Sequence, residues 1–301
     1  MNSRERVRMA LEHKEADRVP IDFGGMRSTG IAAIAYNKVK EHLGMSKGHT
    51  KLYDVYQQLA EPEDMMLERF HGDVVQLHRL SPAFGIEIKE WKEGILPGGS
   101  KCLVPKDFSP IENEDGDLEI HRGGKVIAKM PEGGLYFDSC YTPYANCETT
   151  EDIDKIAVHY ITDEELDYLE SEAKRLYENT DKAILASFGG NIIEAGEGDW
   201  GFENFFIQMA MEPDLIHYYL NRMTDVYMSN LERYLKRLGK YIDVIQFGDD
   251  LGMQDNTLIS KRMYQRMIKP YHKRQFKFVQ KNYPKVKVFF HSCGAIFNLI
   301  N

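Results

Sequence analysis

A histidine and a cysteine stand two residues apart at the end of an apolar run. His291 and Cys293 follow Val286-Lys287-Val288-Phe289-Phe290, which has the composition of a buried strand. Because side chains two residues apart on a strand point to the same face, the imidazole and the thiol are expected side by side. Both are natural zinc ligands. The alternative is a core histidine beside a small buried cysteine.

Zinc held by this pair would have a definite chemical use. A thiol bound to zinc is deprotonated near neutral pH and can then attack an electrophilic methyl group. Such a centre needs about three protein ligands and one open position. For the third ligand the sequence offers Cys140, Cys147, Glu194, Glu197, Asp250 or a residue beyond Asn301.

Polar side chains also follow three other predicted strands. They are Asp22, Asn191 with Glu194, and Asp249 with Asp250. In a parallel α/β barrel the carboxyl ends of the strands meet at one mouth, so these side chains are expected to converge there. Asp250, Glu194 and Asp22 are therefore the candidate catalytic residues, and Asn191 is a candidate for cofactor binding.

The two adjacent aspartates differ in where they should point. Alternation along the predicted strand puts Asp250 on the face of Gln246 and Gly248, so Asp250 is the one expected to look into the barrel. A bulge would invert this assignment. Alternatively, Asp249-Asp250 caps the segment that follows.

Strands and helices alternate along most of the chain, which is typical of a parallel α/β fold. A TIM barrel is favoured over a doubly wound sheet because no Gly-x-Gly-x-x-Gly turn follows an early strand and the sequence has no Walker loop. Such a barrel needs eight strands, so this one is expected to be incomplete at its C-terminus, with the native protein continuing for roughly 60–80 residues past Asn301. Core strands are predicted to begin near Val19, Val74, Ala183, Val244 and Val288.

The chain is expected to form one domain over residues 1–301, with a strand-rich insertion over residues 80–144. Within that insertion, Leu118–His121 and Lys125–Ala128 flank Gly123-Gly124, which predicts a β-hairpin. A long insertion in a barrel loop often forms a lid or a wall of the active site, but it can also be decorative. Helices are predicted over residues 31–43, over 52–70 with a break near Pro62, and over 163–179, 200–211 and 214–238. A further helix is predicted to open at Ser260, and another to run from after Pro270 to about Asn282.

Composition narrows the partners and the compartment. The net charge of −9 and the pI near 5.6 argue against a nucleic-acid partner. Basic residues cluster locally, as in residues 269–277, where they look like the solvated side of a helix. No run approaches the ~18 apolar residues of a membrane span. The N-terminus carries no secretory signal, and four cysteines make no disulfide scaffold, so a cytoplasmic protein is expected.

Four stretches together resemble the uroporphyrinogen decarboxylase-like superfamily. More narrowly they resemble its methyltransferase branch, which includes methylcobamide:coenzyme M methyltransferases and relatives of corrinoid O-demethylase systems. The stretches are Arg18-Val19-Pro20-Ile21-Asp22, Asp249-Asp250-Leu251-Gly252 with Gln254, Ser260 to Pro270, and His291-Ser292-Cys293-Gly294. The resemblance implies a TIM barrel, zinc on His291 and Cys293, and a later cysteine as third ligand. It makes Gln254 a further candidate for cofactor binding.

The same resemblance ranks the activities. Decarboxylases of this superfamily carry Met-Arg-Gln-Ala-Gly-Arg after the first strand, whereas this chain reads Met26-Arg27-Ser28-Thr29-Gly30-Ile31 and lacks the second arginine. The leading hypothesis is therefore a zinc-dependent methyltransferase that moves a methyl group between a corrinoid and a small thiol or pterin acceptor. The alternatives are a metal-free decarboxylase that uses Asp22 and Arg27, and a non-catalytic barrel that only binds a corrinoid or a partner protein.

The expected partners follow from this hypothesis. The chain has no Asp-x-His-x-x-Gly signature for binding cobalamin, so the methylcobamide would arrive on a separate corrinoid protein. A small methyl acceptor would be the second partner, and a homodimer is possible under the same hypothesis.

Overall fold

A computed structural model of the protein describes residues 1–45 and 49–300. The chain forms two compact units of mixed helices and strands. Unit 1 comprises Met1–Tyr141 and Lys174–Leu185, and unit 2 comprises Thr142–Ala173 and Ala186–Asn301. The sheets of the described residues include no closed barrel. No helix among these residues combines the length and the apolar character that crossing a membrane requires.

The strands of the described residues are short, each two to six residues long. In chain order they are β1 (Ile31–Ala32), β2 (Leu52–Asp54), β3 (Leu59–Ala60), β4 (Val74–Leu77), β5 (Trp91–Ile95), β6 (Lys101–Pro105), β7 (Ile111–Glu112), β8 (Leu118–Arg122), β9 (Lys125–Met130), β10 (Asp138–Ser139), β11 (Ala183–Ser187), β12 (Val244–Gly248) and β13 (Lys287–His291).

The longest helices belong to the second half of the chain. In chain order the helices are α1 (Ser3–Leu11), α2 (Ala33–His42), α3 (Asp64–Arg69), α4 (Thr150–Asp154), α5 (Asp163–Asn179), α6 (Ile193–Trp200), α7 (Phe202–Met211), α8 (Pro213–Leu238), α9 (Lys261–Met263) and α10 (Lys269–Asn282). A π-helical turn over Tyr264–Ile268 joins α9 to α10, so the backbone is helical without interruption from residue 261 to residue 282.

Unit 1 contains three small antiparallel sheets, ordered β1-β3-β2, β5-β6 and β10-β9-β8-β7. The hairpin predicted around Gly123-Gly124 is confirmed, since Arg122 pairs with Lys125 and both glycines have positive φ, +58° and +76°. A two-residue turn of this hand needs positive φ at both positions, which glycine adopts without strain. Strands β5 to β10 all lie within residues 80–144.

The helix predicted over residues 52–70 is wrong in its first half. Residues 52–60 form β2 and β3, and only Asp64–Arg69 is helical. The side chain of Asp54 accepts hydrogen bonds from the backbone N–H of Tyr56 and Gln57, at 2.9 and 3.0 Å. Such a side-chain turn offers the backbone an alternative to helical hydrogen bonds, and here it reverses the chain.

The first predicted strand, near Val19, is also absent, and Val19 is 81% exposed. The neighbouring Ile21 is bonded to Asp73 instead. Its N–H donates to the Asp73 carboxylate at 2.8 Å, and its carbonyl accepts from the Asp73 N–H at 2.7 Å. Arg6 and Arg18 hold the same buried carboxylate. The Asp73 side chain therefore accepts the hydrogen bond that the N–H of Ile21 would donate to a neighbouring strand in a regular sheet.

Strand β4 lies in unit 1, β11 begins there, and β12 and β13 lie in unit 2. The remaining four predicted core strands are confirmed as β4, β11, β12 and β13. Strands β12 and β13 run parallel, with Val244 opposite Lys287 and Gly248 opposite His291. The predicted helices over residues 163–179, 200–211 and 214–238 correspond to α5, α7 and α8. Helix α8 buries one side, including Tyr219, Leu231 and Leu235, in the core of this unit.

Candidate metal centre

Three potential ligands meet where β12 and β13 end. The Asp250 carboxylate, the His291 imidazole and the Cys293 thiol each offer one ligand atom, and these atoms all lie within 4.8 Å of one another. Cys293 Sγ is 3.3 Å from His291 Nε2, and His291 Nε2 is 3.7 Å from Asp250 Oδ1. His291 and Asp250 are half-buried and Cys293 is exposed, so a small molecule can reach the cluster.

Parallel register explains why these residues meet. Gly248 pairs with His291 at the carboxyl ends of the two strands, so the loops that follow leave the sheet side by side. The N–H of Cys293 donates to Asp250 Oδ1 at 2.7 Å. Ser292 Oγ accepts from the N–H of Leu251 at 3.0 Å. Cys293 lies beyond the last strand residue, so its position is set by the hydrogen bond from its N–H to Asp250, and not by strand alternation.

Two glycines allow the loops to touch. Gly294 has a φ of +78°, and a Cβ built on it would lie 2.3 Å from the carbonyl carbon of Gly252. A Cβ on Gly252 would in turn lie 2.7 Å from the backbone N of Ala295. Only glycine fits where two backbones approach this closely, so both positions fix the spacing between Asp250 and Cys293.

Asp249 has a structural role instead of facing the site. Its carboxylate is 0% exposed and accepts hydrogen bonds from the N–H groups of Ile192, Ile193 and Glu194, at 2.8, 2.8 and 3.0 Å. His272 Nε2 of α10 donates to the same carboxylate at 2.6 Å. Asp249 thus caps the N-terminus of α6, a distant helix, and not the segment that follows it in the chain.

Helix α6 carries further carboxylates. Glu194 in its first turn accepts a hydrogen bond from the Asn191 side chain, and Asn191 Nδ2 lies 3.7 Å from the position of a Cβ on Gly248. Burial, followed by the charges of Glu194, Asp249 and Asp250, raises the pKa of Glu197 to about 7. Among the described residues Glu197 Oε1 has no hydrogen-bond partner although it is buried. This carboxyl is therefore suited to gain or lose a proton near neutral pH.

The thiol is affected by the same negative charge. Partial burial, and then the hydrogen bond and the charge of Asp250, raise the pKa of Cys293 above its ordinary value. The free thiol is therefore protonated at neutral pH, and a bound cation would reverse this preference.

The other candidates are not members of the metal cluster. Asp22 belongs to unit 1, where its carboxylate accepts from the N–H of Gly25 at 2.7 Å and from Thr29 Oγ1 at 3.0 Å. Burial raises the pKa of this carboxyl. Gln254 is exposed in the loop after β12. Cys140 is exposed in unit 1, and Cys147 is buried in the core of unit 2.

The sequence interpretation missed the residues that support the site. Helix α6 was not predicted because Gly196 and Gly198 interrupt any helical pattern, and its N-terminal cap comes from Asp249, far along the chain. Gly196 is required, since a Cβ there would lie 2.3 Å from the ring of Phe205. His272 has no local signal at all, because its partner carboxylate lies 23 residues away.

Comparison with known proteins gives one family match, in the C-terminal half of the chain that contains the metal cluster. A family model described as uroporphyrinogen decarboxylase (URO-D) matches residues 143–301, a little more than half of the chain, and the match includes every residue of the metal cluster. A search of curated proteins gives no match.

Proposed function

The chain belongs to the uroporphyrinogen decarboxylase family, and we propose that within it the protein is a zinc-dependent methyltransferase. The methyl group would move between a corrinoid and a small thiol or pterin acceptor. The observation that carries this proposal is the cluster of Asp250, His291 and Cys293, whose ligand atoms lie within 4.8 Å of one another.

The donor set fits zinc. One imidazole nitrogen, one sulfur and one carboxylate oxygen are ligands that zinc accepts, and three protein ligands leave a fourth position open, as catalytic zinc sites do. Bond lengths of about 2.3 Å to sulfur and 2.05 Å to nitrogen at a tetrahedral angle place those two atoms about 3.5 Å apart. Cys293 Sγ and His291 Nε2 are 3.3 Å apart, and His291 Nε2 and Asp250 Oδ1 are 3.7 Å apart.

Zinc would supply a positive charge that keeps the acceptor thiol ionised at neutral pH. The chain's own residues prepare the site for this. Asp250 receives the N–H of Cys293 and so fixes the loop that carries the thiol. Glu197 is the carboxyl whose pKa, about 7, suits it to accept the proton that the acceptor loses.

The remaining parts of the proposal concern the surroundings of the site. The strands β11, β12 and β13 would belong to a TIM barrel, the methylcobamide would be delivered by a separate corrinoid protein, and the reaction would take place in the cytoplasm. The parallel pairing of β12 with β13 supports the barrel, because barrel strands are parallel and place functional groups at their carboxyl ends.

Decarboxylation is the second candidate, because the matching family is described by that activity. It would need Arg27 as a cation for a substrate carboxylate. In unit 1, however, Arg27 pairs with the buried carboxylate of Asp54 and donates to the carbonyl of Pro82 at 3.0 Å. A guanidinium that is already paired with a buried carboxylate is a weak anion receptor, so methyl transfer is better supported.

Zinc content and methyl transfer test the proposal together. Purified wild-type protein is expected to hold about one zinc per chain and to demethylate methylcobalamin when a thiol is supplied. Cys293→Ala and His291→Ala should lose both properties, whereas Cys140→Ala, an exposed cysteine in unit 1, should keep both. Equal zinc in wild type and Cys293→Ala would remove the metal from the mechanism. Release of CO2 from a polycarboxylate without zinc would favour the decarboxylase.

A further inference from the structure

A stripe of positive charge runs along the exposed side of the helix that precedes β13. Six basic residues follow one another at intervals of three or four, which places them on one side of a helix. All six are exposed: Arg262, Arg266, Lys269, Lys273, Lys277 and Lys281. They span about 28 Å at a rise of 1.5 Å per residue. We call this set the basic stripe.

The stripe is not neutralised by the protein itself. The sequence contains no Asp or Glu from Thr257 to Asn301, although the whole chain has a net charge of −9. Across residues 1–45 and 49–300, no carboxylate forms an ion pair with any of the six. The neighbouring Arg274 does pair, with Asp225 at 2.6 Å. An uncompensated row of like charges repels itself, so it is more stable when an anionic surface faces it.

The opposite side of the same helix is hydrogen-bonded to other parts of unit 2. His272 holds the Asp249 carboxylate at 2.6 Å, and Gln275 Nε2 donates to the carbonyl of Gly190 at 2.9 Å. Tyr271 and Val279 are buried on this side as well. The stripe is therefore mounted on a rigid support, and a partner bound to it would sit in a defined position relative to unit 2.

Two kinds of anionic partner, a membrane and a nucleic acid, fit the exposed residues of this helix poorly. A membrane-binding helix inserts apolar side chains, but no large apolar residue between 261 and 282 is strongly exposed. Nucleic acid favours exposed aromatic platforms and a basic protein, whereas the aromatic residues of this helix are not exposed and the pI is near 5.6.

A second copy of the chain fits no better. The chain's most acidic helix, α5, already forms ion pairs with α8 of the same chain. Asp163 pairs with Arg233 at 2.8 Å, and Asp167 pairs with Arg237 at 2.5 Å. This helix is therefore a poor match for the stripe, and a different protein is the better candidate for the complementary surface.

We propose that the basic stripe is the docking surface for a partner protein with an acidic face. Charge complementarity of this kind mainly accelerates association and selects the partner. The proposal does not depend on the zinc chemistry, because none of the six side chains belongs to the metal cluster.

A labelled oligoglutamate peptide of about ten residues is a suitable probe, since it spans the stripe at about 3.3 Å per extended residue. Fluorescence anisotropy would measure its binding to full-length protein at rising NaCl concentrations. The variant Arg266→Glu/Lys273→Glu/Lys277→Glu should weaken binding by about tenfold or more at low salt. The matched control Lys38→Glu/Lys101→Glu/Lys236→Glu changes the net charge equally, at exposed positions that do not belong to the stripe, and should weaken it by less than about twofold.

Three results would overturn the proposal. Equal weakening by the two triple variants would show that only net charge matters. Tighter binding of duplex DNA than of the peptide would assign the stripe to nucleic acid, and tighter binding of phosphatidylserine vesicles would assign it to membranes. Zinc content should be the same in both variants, so failure of the docking proposal is distinguishable from failure of the metal site.

Discussion

Replacement of Asp249 by asparagine tests how the candidate metal centre is built. The carboxylate is 0% exposed and accepts three backbone N–H groups of α6 together with His272 Nε2. Asparagine keeps one acceptor oxygen, which can still serve Ile193 and Glu194. Its NH2 group would then face the N–H of Ile192 and the ring of His272, both of which are donors in the native protein.

The cost follows from the two donors that lose their acceptor oxygen. A buried donor without a partner costs about 1–3 kcal/mol, and the substitution creates two such donors. A shift of the His272 proton to Nδ1 would relieve one of the two clashes, which sets the lower end of the range. We therefore expect Asp249→Asn to lower the free energy of unfolding by about 2–5 kcal/mol.

Urea denaturation followed by circular dichroism measures this change. With an m-value of about 3 kcal/mol/M, the expected loss lowers the midpoint by roughly 1 M. Asp255→Asn is the control, because Asp255 is exposed in the same loop and its replacement should cost less than about 0.5 kcal/mol. If both variants unfold at the same urea concentration, the hydrogen bonds around Asp249 do not hold α6 and α10 in place.

Three further predictions concern the ligand, a proton and the loop contact. Asp250→Asn should weaken zinc binding by about 10–100-fold in a chelator competition, and an unchanged affinity would exclude Asp250 as a ligand. Glu197 has its pKa raised from 4.5 to about 7, so its contribution to stability is complete below pH 4.5 and is lost as the pH rises through 7. Between pH 5 and pH 7.5 the free energy of unfolding should therefore fall less for Glu197→Gln than for wild type. Parallel pH profiles of the two proteins would contradict this. Gly294→Ala should destabilise by more than about 2 kcal/mol and reduce zinc content, whereas Gly98→Ala, with positive φ but open space, should cost about 1 kcal/mol and leave zinc unchanged.

The meeting of the three residues of the candidate metal cluster could be predicted because it depends on local geometry. His291 ends a buried strand, and alternation along β12 placed Asp250 on the side of Gly248, which pairs with His291. The position of Cys293 was right for a different reason from the one given. It lies after the strand, and its N–H bond to Asp250 brings it there.

The supporting residues could not be predicted because their partners are distant in sequence. Asp249 contacts Ile193 across 56 positions, and no local pattern encodes that pairing. The same limit explains the missing first strand, where Ile21 bonds to the Asp73 side chain 52 positions away. In both cases a buried carboxylate replaces a regular backbone partner, and burial of a charge depends on the assembled fold.

Of the two adjacent aspartates, Asp249 has a structural role and Asp250 belongs to the candidate metal cluster, and this difference can be tested separately. Successive side chains at the end of β12 point to opposite sides, so Asp249 enters the protein while Asp250, with a 35% exposed side chain, faces the ligand cluster. Asp249→Asn should therefore reduce stability even in zinc-free protein, whereas Asp250→Asn should leave zinc-free stability within about 1 kcal/mol of wild type. Excess zinc should then stabilise Asp250→Asn by about 1.4–2.7 kcal/mol less than wild type, because a ligand that binds only the folded state adds its binding free energy to stability and a 10–100-fold weaker affinity removes that much of it. Equal losses in both variants without zinc would mean that the two carboxylates act as one structural unit.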